Sequence, residues 1–258
     1  MPGQREMASN LTFEGEVPDR ETPYDAVVFD CDSTLSELEG IDELADERSA
    51  EVSELTARAM AGEVPMEAVY GRRLEILRPT RAQLVEIGRA YARTALPHAA
   101  ELIAALRALG KRVCIVSGGL LPAVLPFGEE LGVAREHIHA VDVHFDAQGG
   151  YAGYEVRSPL ARRGGKPEVL NAVTGDAQAI ALVGDGATDL EAAPACARFV
   201  AFGGVARRPA VFAAARSHCE VADFAALVPL LFTEAERATL ARDSIHAPLL
   251  AAAAAFLA

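Results

Sequence analysis

Basic residues are in the minority. Lys and Arg number 24 against 37 Asp and Glu, giving a formal net charge of −13 over 258 residues. With no basic face in prospect, nucleic acid is excluded as the expected partner, and the acidity bears on solubility rather than on fold. Cysteine is scarce, and Cys31, Cys114, Cys196 and Cys219 lie far apart. That excludes zinc-knuckle and CxxC redox spacings and leaves reduced thiols in the cytoplasm as the expectation. The histidines (His98, His137, His139, His144, His218 and His246) show no metal-ligand spacing either. No apolar run reaches the ~18 residues of a membrane span, so no membrane partner is expected. The opening stretch MPGQREMASNLTFEGEVPDRETP lacks the apolar segment of a signal peptide, and there is no internal repeat. What is left is 51% hydrophobic and 24% charged, enough for one α/β domain with a smaller insert.

The pattern along the chain supplies the organisation. Residues 1–22 read as a flexible leader and 24–30 as a strand apolar on both faces, the mark of a buried parallel sheet. Residues 36–95 lack β-branched runs and are rich in Ala, Glu, Leu and Arg, with Ile41, Leu44, Ala45, Val52 and Leu55 at roughly helical spacing, so a helical insert is expected there. From Pro97 strands and helices alternate: PHAAELIAALRALG a helix, RVCIVSGG a strand, then a helix beginning or kinking at Pro122 and Pro126. HIHAVDVHFDAQGGYAGYEV reads as one hairpin turning at Gln148–Gly150. GGKPEVLNAV, AIALVGDG, TDLEAAPAC and FVAFGG continue as helix, strand, helix and strand. This alternation predicts a doubly wound, Rossmann-like parallel sheet built from 24–35 and 96–232, with the helical insert, a small hairpin excursion and a C-terminal helical extension over 233–258. The last residues leave packing on the core and a homodimer contact both open.

Three strands end in polar or glycine-rich punctuation: FDCDST, VSGG and VGDGATD. In a doubly wound sheet such ends open on one edge, where ligands bind. Asp30, Asp32, Asp185 and Asp189 would therefore gather there. Carboxylates so close repel unless a cation is present, and an all-oxygen donor set points to Mg2+ rather than zinc. Ser117-Gly118-Gly119 offers a hydroxyl and open backbone N–H groups as a phosphate cradle, and Lys166 adds positive charge. Carboxylates, a metal, a lysine and a cradle suggest phosphoryl transfer on a small-molecule substrate. The pattern DxDxT alone arises by chance in about one window in 8,000, so its weight comes from its place after a buried strand and from the motifs that follow in order.

Those motifs, FDCDST, VSGG, GGK and VGDGATD, resemble the four motifs of the haloacid dehalogenase-like phosphatases. EGIDELA, ARAMAGEVP, RRLEIL, YAGY and VAFGG resemble more narrowly the branch that hydrolyses O-phospho-L-serine, and the likeness spans roughly residues 24–230. The resemblance implies a Mg2+-dependent phosphomonoesterase of serine biosynthesis with a helical cap. In it Asp30 would be the nucleophile and form an aspartyl-phosphate. Asp32 would protonate the leaving oxygen and then activate water, its backbone carbonyl also binding the metal. Asp30 and Asp185 would ligate Mg2+ directly, with Asp189 in the outer shell. Ser117, Gly118 and Lys166 would hold the phosphate, Thr188 would sit beside it, and Glu39 and Arg73 would bind the amino and carboxylate groups of the substrate.

Arg73 has support from the pattern itself. Met66, Val69, Tyr70, Arg73, Leu74 and Leu77 share one helix face, so Arg73 interrupts an apolar stripe and needs an acidic partner. Arg207, after VAFGG, is a further residue within possible reach of the substrate. Two departures from the family pattern, Pro65-Met66 and Leu120–Pro126 after SGG, bear on selectivity. Another small phosphate ester as substrate, phosphoryl transfer to an alcohol, and a silent binding protein stay open, and release of phosphate from an ester panel separates them.

Overall fold

Four predominantly apolar segments build the centre of the molecule. In the computed structural model, which describes residues 22–44, 52 and 66–256, they are β1 (Ala26–Phe29), β2 (Arg112–Leu120), β6 (Ile180–Gly184) and β7 (Arg198–Phe202). Their neighbours are the short edge strands β3 (Ile138–Val141) and β8 (Ser217–Cys219), in the order β3-β2-β1-β6-β7-β8, all parallel. Residues 1–21 of the leader expected over 1–22, and insert positions 45–51 and 53–65, Leu55 and Pro65 among them, lie outside the described residues.

Among the described residues the helices named before β2 are α1 (Gly40–Glu43), α2 (Met66–Leu77), α3 (Arg81–Arg93) and α4 (Ala99–Ala108). Those after it are α5 (Leu121–Glu130), α6 (Gly165–Thr174), α7 (Ala187–Ala192), α8 (Pro209–Ala214), α9 (Val228–Leu231), α10 (Glu234–Leu240) and α11 (Ala247–Ala254). Among the described residues no helix is long and apolar enough to cross a membrane.

The period-2 geometry of strands divides the core into two layers. Val27, Phe29, Val113, Ile115, Ala181 and Val183 face one layer, closed by Leu102 and Leu106 of α4, Phe127 of α5 and the C-terminal Leu230, Leu240 and Leu249. Ala26, Val28, Cys114, Val116 and Leu182 face the other, closed by Leu170, Ala192 and Phe212. The residues from 233 onward thus pack on the core through Leu240, Leu249 and Ala253. Full burial of a side chain such as Phe29 stabilises the fold by about 1.5–3 kcal/mol, and its truncation to Ala costs about 3–5 kcal/mol.

The segment HIHAVDVHF divides differently from the single hairpin its alternation suggests. Ile138–Val141 joins the main sheet beside β2, and only β4 (Val143–Phe145) and β5 (Tyr151–Tyr154) form the antiparallel pair. Its turn closes with Gly149 N–H on the Asp146 carbonyl and Asp146 N–H on that of Gly150. Alternating residues suit either partner, so the open edge of β2 takes the first four.

Two junctions position the site. The register sets Phe29 beside both Ile115 and Val183, so Asp30, Ser117 and Asp185 emerge together where strand order reverses. The insert leaves and rejoins the core at one doubled strand: Ser36 bridges Ala95, and Leu96 N–H donates to the Leu35 carbonyl at 3.0 Å.

Candidate active site

At the end of β1 the Asp30 N–H still follows the ladder, donating to the Val183 carbonyl at 3.0 Å. The chain then turns sharply: Leu35 N–H returns to the Cys31 carbonyl at 2.9 Å, which requires the left-handed backbone of Ser33 (φ +51°). The two aspartates of FDCDST are thereby sent in different directions.

Asp30 faces the core. Its Oδ1 accepts the Cys31 N–H at 2.8 Å and lies 3.1 Å from Lys166 Nζ. Lys166, in the first turn of α6, donates to Asp189 Oδ1 at 2.6 Å, and Asp189 Oδ2 accepts the Gly186 N–H at 3.0 Å. Gly184 makes room for this pair, since a Cβ there would come 2.3 Å from Asp189 Cγ. Asp185 Oδ1 accepts from Thr34 Oγ1 at 3.3 Å. Burial pulls the Lys166 ammonium down, but the attraction of Asp189 and then Asp30 overturns this and holds it charged. Burial and the neighbouring Asp30 charge push Asp189 up, and Lys166 opposes them. Burial, then Asp30, raises Asp185 to about 6 against the pull of Arg208.

Asp30, Asp185 and Asp189 are all buried and offer oxygens within 4.8 Å of one another. Three hard carboxylate donors packed this closely fit a divalent metal ion. The Asp32 carboxylate stands outside this group and faces the insert. Its Oδ1 accepts the Gly40 N–H at 2.7 Å and the Tyr91 hydroxyl at 2.5 Å, while Oδ2 lies 3.4 Å from Ser117 Oγ. Ser117 Oγ also accepts the Gly119 N–H at 2.9 Å, and a Cβ on Gly119 would approach Asp32 Oδ2 to 2.8 Å. Burial raises Asp32 to about 7, with Gly40 and Tyr91 restraining the rise. A carboxyl group in that range can both give and take a proton near neutrality.

The insert side is less enclosed. Glu39 holds the N-cap position of α1 without a capping bond from its side chain, and its Oε1 accepts from Ser33 Oγ at 2.8 Å. Arg73 meets Asp42 of the same short helix, while its Nε is buried with no hydrogen-bond partner among the described residues. Val69, Leu74 and Leu77 are buried beside it, as the stripe predicts. Arg72 points to solvent and pairs with Glu75. Tyr70 donates to the Gly118 carbonyl at 2.8 Å. Thr188 is exposed in the first turn of α7 on the GDGATD loop.

Arg207 turns away from the site, pairing with Glu220 and covering the Phe212 ring. Its neighbour Arg208 reaches in, 2.7 Å from Asp185 Oδ2 and 2.8 Å from Glu39 Oε1. Topology held that signal: Arg208 directly precedes α8 at the carboxyl end of β7, the ligand-binding edge. Tyr91 and Tyr70 were hidden because each sits in an apolar helical stripe and reads as core.

Comparison with known proteins gives the family. Residues 27–194 match the family model of haloacid dehalogenase-like hydrolases, and the chain belongs to that family. Within it, the chain is similar to the phosphoserine phosphatase of Drosophila melanogaster, 33% identical over 232 residues and covering 88% of this chain and 82% of the relative. The phosphoserine phosphatase of Homo sapiens is 37% identical over 184 residues, covering 70% of this chain and 82% of the relative. A solved phospho-aspartyl intermediate analogue of phosphoserine phosphatase superposes with a TM-score of 0.67 at 28% identity, covering 82% of this chain and all (100%) of the other.

Proposed function

We propose that this chain hydrolyses O-phospho-L-serine to L-serine and phosphate with Mg2+ as cofactor. The observation that carries the chemistry is Asp30, set beside the buried Lys166 ammonium at 3.1 Å and within the cluster of three carboxylates. Asp30 is the nucleophile and becomes an aspartyl-phosphate, Lys166 with Ser117 and Gly118 holds the phosphate oxygens, and Asp32 handles the proton. Asp30 and Asp185, with the Asp32 backbone carbonyl, would hold Mg2+, and Asp189 orients that shell. The ion supplies positive charge that offsets carboxylate repulsion and the charge on the phosphoryl oxygens.

The substrate reading rests on likeness to phosphoserine phosphatases and on two residues against α1. Glu39 offers an anion to an ammonium, and Arg73 a planar fork to a carboxylate. Thr188 borders the opening. Residues 36–95 act as the cap, whose closure excludes water and limits substrates to small ones. Four free thiols fit a reducing compartment such as the cytoplasm.

The test is phosphate release from L-phosphoserine and a panel of small esters with Mg2+, with EDTA and Asp30→Asn as controls. Mg2+-dependent preference for phosphoserine, abolished in Asp30→Asn, is expected. Turnover of other esters alone would discard the substrate, and turnover by Asp30→Asn at the wild-type rate would discard the covalent mechanism.

A further inference from the structure

Tyr91 has no part in the chemistry described above, yet three observations set it apart from a core tyrosine that happens to find an acceptor. Its hydroxyl and the Gly40 N–H converge on one atom, Asp32 Oδ1, at 2.5 and 2.7 Å. The insert is cut away to admit it: a Cβ on Gly40 would lie 2.0 Å from the Tyr91 oxygen. The ring itself cannot swing aside, being 1% exposed and stacked on Phe127 with centroids 5.5 Å apart.

We propose that Tyr91 is a positioning residue that holds the Asp32 carboxyl group so that Oδ2, and not Oδ1, faces the reacting atoms; this rests on the phosphatase reading above. With Oδ1 engaged by two donors, proton exchange with the substrate falls to Oδ2. That is the atom facing Ser117 Oγ at 3.4 Å and overlooking Gly119. Without the second donor the carboxyl group turns more freely, because its terminal torsion is broad and two-fold. Oδ2 then leaves the position that faces the reacting atoms.

The consequence falls on proton transfer. As Asp30 forms its bond to phosphorus, the bond from phosphorus to the ester oxygen breaks and its electron pair goes to that oxygen. The Oδ2 proton neutralises it, leaving Asp32 as a carboxylate. In the second half, water attacks the aspartyl-phosphate, Oδ2 takes a proton from that water, and the bond to Asp30 breaks with its pair returning to Asp30. An alkyl leaving group needs the first proton, whereas a nitrophenolate leaves without it.

Tyr91→Phe keeps the ring and its stacking, and thermal unfolding checks that the full chain stays folded. With Mg2+, kcat/KM for L-phosphoserine is expected to fall about tenfold, a part of what general acid catalysis supplies. The kcat/KM for p-nitrophenyl phosphate is expected to stay within about twofold, since it reports only the phosphorylation half. Equal losses on both esters, or no loss on phosphoserine, would overturn the proposal. Gly40→Ala, whose methyl takes the hydroxyl's place, reads the same split and carries the test if Tyr91→Phe does not fold. A wild-type enzyme that cleaves aminoethyl phosphate and p-nitrophenyl phosphate but not phosphoserine would sink the substrate reading alone. The alkyl-against-aryl comparison would then still decide Tyr91. A wild type that cleaves none of them would sink both.

Discussion

The two walls of the site are built on opposite electrostatic terms. On the core wall Lys166, 3% exposed, stands between Asp189 and Asp30, whose side chains are 0% and 12% exposed. On the insert wall Arg73 at 19% pairs with Asp42 at 63%, and Glu39 at 43% pairs across the opening with Arg208 of the core at 41%. Charges withdrawn from water interact strongly and hold one geometry, while exposed pairs are screened and worth about 0–1 kcal/mol. The core wall is therefore organised before substrate arrives, as electrostatic catalysis requires. The insert wall exchanges partners cheaply, so on the proposed reading a ligand ammonium would replace Arg208 on Glu39 and a ligand carboxylate would replace Asp42 on Arg73.

The sharpest way to break this contrast is Lys166→Met. It leaves three buried carboxylates with no buried cation, so turnover should fall by at least about a thousandfold. Stability should drop by about 3–5 kcal/mol, as when a buried pair loses one member. Mg2+ should return much of the stability, since it offsets the same repulsion, but not the turnover. Denaturant titration with and without Mg2+ checks this, and near-normal stability without the ion would show the core wall to be less tightly coupled than its distances imply.

Arg73→Ala asks the complementary question. Loss of the fork should lower kcat/KM for phosphoserine about 10- to 100-fold and change it less than about threefold for an ester without a carboxylate. Stability should move by no more than about 1 kcal/mol, because the Asp42 partner is largely in water. Equal losses on both esters would make Arg73 a structural residue.

The walls also differ in how far the sequence discloses them. Parallel strands end on one edge, so Asp30, Ser117, Asp185 and Asp189 could be brought together from burial pattern and strand order alone. What pattern could not show is direction. Asp30 and Asp32 read as neighbours sharing one cation, whereas the left-handed turn at Ser33 separates them and gives Asp32 to Gly40 and Tyr91. Tyr91 lies 59 positions along the chain from Asp32, in a helix whose spacing marks it only as apolar. Choosing between Arg207 and Arg208 likewise needs the angle at which α8 starts. Ile138–Val141 went to the sheet because a strand's alternation states which face is buried but not which edge it pairs with.

A smaller effect follows from pH. Asp185 is raised from its ordinary range to about 6, first by burial and then by Asp30. A carboxyl raised on folding stabilises the fold fully below its unfolded value, near 4, and that stability is lost as pH rises through about 6. Metal-free protein should therefore lose melting temperature between about pH 4 and 6 on account of this group. Because the ion competes with the proton for the same oxygens, Mg2+ should raise the melting temperature by several degrees more at pH 7.5 than at pH 5. Thermal scans at both values decide it, and a Mg2+ effect independent of pH would remove Asp185 from the proposed metal shell.

The smallest expected change tests the seam between the walls. Tyr70 packs on Tyr154, with ring centroids 5.7 Å apart, and donates to the Gly118 carbonyl at 2.8 Å. Burial holds its hydroxyl far above the ordinary phenol range, so it remains a donor at every working pH. The bond joins an insert helix to the turn that would cradle phosphate, but it uses a carbonyl and takes no N–H group of the turn. Tyr70→Phe should remove about 1 kcal/mol of this tie, raising KM about threefold while kcat changes by less than about twofold. Were kcat to fall as steeply as KM rises, the insert would be shaping the cradle during the chemical step, and recognition and chemistry could no longer be assigned to separate walls.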